Sequence, residues 1–418
     1  MPIEIEQKKE RAVLCGLAAA CFAPGESSTD VSMAELAALV ETAGGEAVAF
    51  LVQNRAAPDP RSFIGEGKEE ELRALIEAND CDLVVFDNEL SPSQMRVLSE
   101  DLKVKVMDRS GLILDIFAQR ARTREGQLQV ELAQYKYLLP RLLGMWTHLE
   151  RQEGAIGTHG PGETQLESDR RHIRRKIQKL EEELAEVRKN RAVQRRRREK
   201  NEMPVVALVG YTNAGKSTLL NCLSGSDIPA NNRLVDTLDT TTRRLMVDEV
   251  QEVLLSDTVG FIRKLPTHLI EAFKATLEEL AYADVLLHVI DMSSDEWQSQ
   301  AEIVDGLIAQ LGAEGTPCIR VYNKCDACFG LLPREPDSVC ISARTGEGTA
   351  ELLRMVSEIL GRSKHRATFL IPYNKGALVQ LLHDEAAVLN VEYAENGTRV
   401  EAIVKPELWA KVRDFAEV

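Results

Sequence analysis

The sequence predicts a multidomain α/β protein: a phosphate-loop domain on a parallel-type sheet, an N-terminal α/β domain, an antiparallel helical hairpin and a small C-terminal α+β domain. Three observations carry that reading. Apolar strand-like runs alternate with helical stretches over the first 115 residues; two heptad-like stripes flank a glycine-rich stretch; and a buried strand near residue 205 runs straight into a phosphate loop. The bulk numbers allow it. At about 150 residues per domain, a chain of 418 residues holds several domains, and 44% hydrophobic with 28% charged residues excludes wholesale disorder. Eight dispersed cysteines in so large a chain do not make a disulfide framework. No apolar run approaches the ~20 residues that span a bilayer, and the opening MPIEIEQKKERA has no apolar signal core. A cytoplasmic protein without a membrane span is expected.

In residues 1–115, Ala12–Leu17, Ala47–Val52, Leu83–Phe86 and Val104–Met107 read as strands, with helices at Met33–Thr42, Glu69–Glu77 and Ser93–Leu102 between them. That alternation implies parallel strands covered by helices. Nothing in it resembles a phosphate loop or a clustered catalytic set.

Residues 116–202 change character. Leu128, Leu132, Tyr135, Leu139 and Leu142 are spaced 4, 3, 4, 3, and Ile173, Ile177, Leu180, Leu184 and Val187 repeat the spacing. Two such stripes bury each other when their helices run antiparallel. Gly154–Gly162, with four glycines and a proline, reads as the turn at the tip, and Pro140 is a candidate kink. Charge singles out this arm. The chain carries 51 Lys+Arg against 66 Asp+Glu, a net −15, yet residues 151–200 hold 15 basic and 9 acidic side chains, or +6, which leaves −21 for the remainder. Arg195–Arg198 close the second helix, where cations suit the helix dipole as well as a phosphate partner.

Residues 203–362 hold the densest motifs. The strand MPVVALVG leads into Gly210, Tyr211, Thr212, Asn213, Ala214, Gly215, Lys216, Ser217 and Thr218, a G-x-x-x-x-G-K-S loop in strand–loop–helix context. Its glycines let backbone N–H groups turn toward phosphates, Lys216 supplies charge to the β/γ oxygens, and the Ser217 hydroxyl suits Mg²⁺. A second strand ends in Asp257, Thr258, Val259 and Gly260, giving D-x-x-G 41 residues after Lys216; Asp257 would hold Mg²⁺ through water and the Gly260 N–H would meet the γ-phosphate. A third ends in Asn323, Lys324, Cys325 and Asp326. A carboxylate there accepts from both N1–H and the exocyclic amine of guanine, a donor pair adenine lacks, so Asp326 selects GTP over ATP. Ser342, Ala343 and Arg344 end a later strand and support the base. These motifs in this order specify a GTP-binding domain, with GTP and GDP as ligands. In the first switch, Thr237, Thr241 and Thr242 compete for the Mg²⁺ ligand role. Cys325 and Cys328 form a C-x-x-C, read as packed or surface thiols because no second pair lies nearby.

Residues 363–418 read as strand Ala367–Ile371, helix Lys375–Leu389, strands near Val391–Tyr393 and Val400–Val404, and a closing helix Glu407–Phe415.

Gly157-Thr-His-Gly-Pro-Gly-Glu-Thr-Gln-Leu-Glu167, followed by Asp169-Arg-Arg, resembles the signature of the HflX family of ribosome-associated GTPases. Asp257-Thr-Val-Gly-Phe-Ile-Arg-Lys-Leu-Pro266 and Ala272-Phe-Lys-Ala-Thr-Leu-Glu-Glu279 resemble its second switch, and the T-L-D-x-T-T-R segment its first. The resemblance implies nucleotide contacts at Val235, Asp236, Thr237, Leu238 and Asp239, with Thr237 the Mg²⁺ ligand. It implies contact with the RNA of the large ribosomal subunit at His159, Gly160, Pro161, Gly162, Glu163 and Thr164. It further implies slow intrinsic hydrolysis stimulated by ribosomes, and splitting or rescue of stalled ribosomes under stress, by a chain expected to act as a monomer. Two positions depart from the pattern: His159 replaces the usual arginine and Thr240 the usual proline. Phe261 stands where Ras-like enzymes carry the glutamine that orients water. Asn213 sits where potassium-stimulated GTPases place a K⁺-ligating asparagine, so catalysis would draw on Lys216, Gly260 and a cation at Asn213. The competing readings are a signalling switch that binds protein effectors and a large-subunit assembly factor. Use of ATP by the N-terminal domain has no visible residue basis.

Overall fold

A computed structural model describes residues 9–22, 27–145, 161–200, 203–225, 241–247, 251–258, 260–264, 280–328, 333, 335–362, 365–404 and 406–417. The N-terminal sheet consists of β1 (Arg11–Ala19), β2 (Glu46–Arg55), β3 (Leu83–Phe86) and β4 (Lys105–Asp108), ordered β2-β1-β3-β4 and parallel throughout. Side-chain alternation splits β1 between two cores. Ala12 and Leu14 face the helices Asp30–Ala43 and Arg109–Arg120, whereas Val13, Cys15 and Leu17 face Glu66–Asn79 and Pro92–Leu102. Local chemistry starts two of these helices: Thr29 and Ser32 form a capping box, as do Ser91 and Gln94, with Pro92 opening the first turn. The expected domain boundary at residue 115 falls inside the helix Arg109–Arg120. Its apolar residues Leu112, Ile113, Leu114, Ile116 and Phe117 are all buried, so the unit continues to Arg120.

The hairpin pairs Arg124–Met145 with Pro161–Lys200. Leu128, Leu132, Leu180 and Leu184 are buried against each other with Tyr135, Ile177 and Val187 alongside. Arg124 bonds Glu183 at 3.3 Å and Glu131 bonds Lys176 at 3.2 Å: seven residues on in one helix, seven back in the other, the mark of an antiparallel pair. Lys136 reaches diagonally to Glu181 at 2.9 Å. The opposite face of the first helix, Val130, Ala133 and Tyr137, packs on the N-terminal domain, and among the described residues Leu139 and Ile173 stay outside the seam cluster. The first helix continues through Pro140. The tip differs from expectation at one end: Pro161 and Gly162, placed in the turn by glycine content, begin the second helix, because proline is well suited to a helix start. Residues 154–160, including His159 and Gly160, lie outside the described residues.

The third unit holds β5 (Val205–Gly210), β6 (Thr241–Met246), β7 (Glu252–Asp257), β8 (Val285–Asp291), β9 (Cys318–Asn323) and β10 (Ser338–Cys340) in the order β10-β9-β8-β5-β7-β6. All pairings are parallel except β6 with β7, which places an antiparallel strand at the edge. A continuous apolar cluster joins this unit to the N-terminal domain, running from Leu112 and Phe117 to Tyr211, Phe261 and Ile262.

The C-terminal sheet, β11 (His365–Ile371), β12 (Ala387–Ala394), β13 (Gly397–Val404) and β14 (Ala416–Glu417), is antiparallel in the order β12-β13-β11-β14. Phe369, Ile371 and Val400 pack there against Leu382, Leu408 and Val412. The helix expected to reach Leu389 stops at Glu385, because Ala387–Leu389 begin a sheet strand. The closing helix runs Pro406–Val412, and after the turn Arg413–Phe415 the chain pairs with Thr368 and Phe369.

Candidate functional site

The site forms at the C-terminal ends of β5, β7, β8 and β9, where loops leaving a parallel sheet converge. β5 is buried on both faces and delivers Gly210 against β8, and a Cβ on Gly210 would stand 2.3 Å from the Val289 carbonyl oxygen. Gly215 has φ +96° and a Cβ there would meet Asn323 Nδ2 at 2.2 Å. Only glycine fits either position. Asn213, exposed at the loop's outer turn, also has a left-handed backbone with φ +62°.

Lys216 opens the helix Lys216–Ser224, and its buried ammonium donates to the carbonyls of Gly210 at 3.1 Å and Tyr211 at 2.8 Å. Burial lowers its pKa to about 8, partly opposed by the Asp257 carboxylate. The Ser217 hydroxyl donates to Asp257 Oδ2 at 2.7 Å, so the D-x-x-G carboxylate and the loop serine meet directly. A hydroxyl and a carboxylate side by side are the hard oxygen donors that Mg²⁺ takes. Thr258 turns away: its hydroxyl donates to the Leu208 carbonyl at 2.6 Å, which spends the side chain on the sheet. Gly260 lies against the phosphate loop, since a Cβ there would be 3.0 Å from Thr212 Cα and 3.1 Å from Lys216 Nζ. Phe261 holds that approach through its backbone, donating to Gly210 O at 3.2 Å and accepting from Thr212 N at 2.7 Å. Its ring is buried among Tyr211 and Ile262.

At the base-recognition end, buried Asn323 links two loops: its Nδ2 donates to Ala214 O at 2.8 Å and its Oδ1 accepts from Ala343 N at 2.9 Å. Asp326 accepts from Arg344 at 2.6 Å, and a hydrogen bond from Ser342 together with the Arg344 charge holds its carboxyl below the usual range. Lys324 donates to Asp291 Oδ2 at 2.6 Å. The sequence reading missed Asp291, although a carboxylate directly after the buried run Val285–Ile290 sits at the strand edge where loop residues collect. Cys325 packs with Cys328 and Cys340 near Tyr322 and Trp297, and burial raises its pKa to about 12, which disfavours the nucleophilic thiolate at Cys325. Among the described residues no group of three or more metal-ligating side chains occurs. Thr218 stands half-buried in the helix's first turn. Val235–Asp239, with Thr237, and Val259 lie outside the described residues, as does Thr240; the competing Thr241 and Thr242 begin β6.

Tyr211 brings only its backbone to the phosphate loop. Its ring turns from the phosphate loop into the N-terminal domain, donating its hydroxyl hydrogen to Glu35 Oε2 at 2.9 Å while accepting from Arg263 N at 2.8 Å.

Comparison with known proteins fits this arrangement unit by unit. The model for the GTP-binding GTPase N-terminal region matches residues 30–118, the GTPase Middle Region model matches 120–198, and the 50S ribosome-binding GTPase model matches 205–324. A GTPase HflX of Caldanaerobacter subterraneus is 46% identical over 99% of this chain and 95% of its own length. The chain belongs to the GTPase HflX family. A family member from Lacrimispora saccharolytica is 45% identical over 99% of this chain and 98% of its own, and one from Escherichia coli is 44% identical over 87% of both. Among solved structures, a GTP-binding protein from Sulfolobus solfataricus in complex with GDP is 23% identical, covering 84% of this chain and 99% of that one at a TM-score of 0.45. Like its HflX relatives, the protein is a GTP hydrolase. No helix among the described residues is long and apolar enough to cross a membrane.

Proposed function

We propose that this HflX GTPase binds the large ribosomal subunit with its helical hairpin and splits or rescues stalled ribosomes under stress, with GTP binding driving association and hydrolysis driving release. The observation that carries the reading is the hairpin itself. Its second helix, Pro161–Lys200, is net basic in a chain of net charge −15, and Ile177, Leu180, Leu184 and Val187 are its described residues packed into the seam. A basic arm on an acidic body makes phosphate contacts while the body resists nonspecific RNA. The family model's description as a 50S ribosome-binding GTPase supports the same partner.

In the nucleotide site, Ser217 and Thr237 would ligate Mg²⁺ directly and Asp257 through water; the metal would offset the phosphate charge. Phe261 offers no group to orient water, so the missing contribution comes from the ribosome or from a K⁺ ion held at Asn213. The protein works as a cytoplasmic monomer in this reading. Sucrose-gradient sedimentation with purified large subunits, with and without a nonhydrolysable GTP analogue, tests it. Analogue-dependent comigration is expected. Absence of the protein from the subunit fractions in both arms would leave a protein-effector switch as the better account.

A further inference from the structure

β4 is the last strand in the order β2-β1-β3-β4, with the helices Pro92–Leu102 and Arg109–Arg120 on its two faces. A cavity of about 750 Å³ opens between that strand, these two helices and the first helix of the hairpin, Arg124–Met145. Small-molecule sites run from about 300 to 1,000 Å³. None of the residues that line it belongs to a nucleotide motif. Its walls are apolar: Met95, Met107, Leu114 and Leu138 stand beside the Tyr137 ring. Leu138 is 45% exposed there, a large apolar side chain left open on a packed helix. Flexible thioethers next to an aromatic ring adapt to a flat aromatic guest.

Charge narrows the guest. Each of the three cations that line the cavity already faces a carboxylate: Arg141 meets Asp108 at 3.0 Å, Arg96 meets Glu100 at 3.8 Å and Lys105 meets Glu10 at 3.8 Å. Arg141 also lies over the Tyr137 ring, 3.4 Å from its centre. No positive charge is left over to draw an anion, and apolar walls do not repay the desolvation of a charged guest of either sign. The strand edge supplies the polar handle. Lys105 N–H donates inward to the Asp82 carbonyl at 3.3 Å, and the register pairs Val84 with Val106. Inward and outward residues alternate along a parallel ladder, so the N–H and C=O of Val106, which lines the cavity, point away from β3. A donor and an acceptor side by side complement the edge of an amide.

We propose that this cavity is a binding site for an uncharged, flat aromatic amide, a lactam or a carboxamide, whose ring packs among Met95, Met107 and Leu138 while its amide edge pairs with the Val106 backbone. The walls come from the N-terminal domain and from the hairpin alike. An occupant therefore ties the two together and stabilises the folded chain by mass action.

The test uses the full chain with GDP present to fill the nucleotide site, and equilibrium dialysis against three bicyclic probes: the lactam carbostyril, its lactone isostere coumarin and the anion naphthoate. Coumarin keeps the shape and the carbonyl but lacks the N–H. Carbostyril is expected to bind saturably at a single site per chain, about fivefold tighter than coumarin, the worth of one hydrogen bond. Its margin over naphthoate should be about tenfold or more, because the anion must be desolvated without a partner. Leu138→Trp, which fills the mouth, should weaken carbostyril by about tenfold or more while keeping the parent's melting temperature and GTP hydrolysis. Ser99→Trp fills the cavity from the helix Pro92–Leu102 and decides the matter if Leu138→Trp does not fold. Parental carbostyril binding by both folded variants would overturn the proposal. So would the absence of saturable binding, equal affinity for lactam and lactone, or naphthoate as the tightest of the probes.

Discussion

At the scale of single residues, the roles proposed for Asp326 in base selection and Lys216 in phosphate binding can be tested one atom at a time. Asp326 is an acceptor-only carboxylate already oriented by Ser342 and Arg344. Asp326→Asn puts a donor opposite guanine's amine and suits xanthine's carbonyl instead. GTP affinity should fall by about tenfold or more while xanthosine triphosphate gains, as read in a nucleotide titration. Lys216 offers a second handle. Its pKa of about 8 is below the ordinary lysine value because the ammonium is buried, so above that pH the free protein carries a neutral amine there. A triphosphate restores the charged form, and GTP binding should take up a proton at pH values above about 8 but not at pH 7. Calorimetry in buffers of different ionisation enthalpy reads this directly, and proton release on binding would contradict it. Phe261→Gln, which reinstates the Ras-like residue, should not speed hydrolysis. The position is buried among apolar rings, and an amide there costs about 1–3 kcal/mol without a partner.

At the scale of elements, legibility followed how local the cause was. The strand Leu83–Phe86 was readable to the residue because a short contiguous apolar run bounded by aspartates on both sides is typical of a buried strand. The caps at Thr29 and Ser91-Pro92 are sequence-local, and they start two helices slightly before the Met33 and Ser93 that apolar spacing gave. β6, with its threonine and arginine pairs, gave no apolar alternation, since an edge strand is only partly buried and its pairing partner β7 decides the matter. The nucleotide motifs could be read because each is a short string at a strand end, and the fold brings Lys216, Ser217, Asp257 and Gly260 together. Asp291 was not, being bound to its function only by the distant Lys324. The hairpin lies between these cases: its stripes predicted the pair, but not that Tyr137 and Val130 on the other face would tie the first helix to the N-terminal domain. Deleting 159–164 removes the end of this arm and leaves the phosphate loop in another element. GTP affinity should stay near parental while ribosome-stimulated hydrolysis is lost, and a variant that still responds to ribosomes would reduce the tip to a structural turn.

At the scale of the whole molecule, a buried charge cluster between the N-terminal and GTPase domains has no signature in the sequence at all. Ser28, Glu35, Asp87, Arg109, Tyr211 and Lys264 are scattered over more than half the chain, and only folding assembles them. Its consequence is a pH dependence with a definite sign. Burial pushes the Asp87 carboxyl upward, but the Lys264 and Arg109 charges and the bonds from Lys264 and Ser28 outweigh it and hold the group below the ordinary carboxylate value. A depressed carboxylate stabilises the folded state above its unfolded pKa, and that contribution is lost as the pH falls through the folded value. The facing groups set the window. Arg109 and Lys264 both face Asp87 and Glu35 shares Arg109 with it, so protonating Asp87 removes one of the two carboxylates that offset the buried cations. The parent should therefore lose stability as the pH drops below the ordinary carboxylate range. Asp87→Asn should begin less stable at neutral pH, by about 3–5 kcal/mol for breaking a buried pair, and should flatten that acid limb. Denaturant midpoints measured from neutral to acid pH give the comparison. Parallel acid limbs in the two proteins would show that the titration responsible lies elsewhere in the fold.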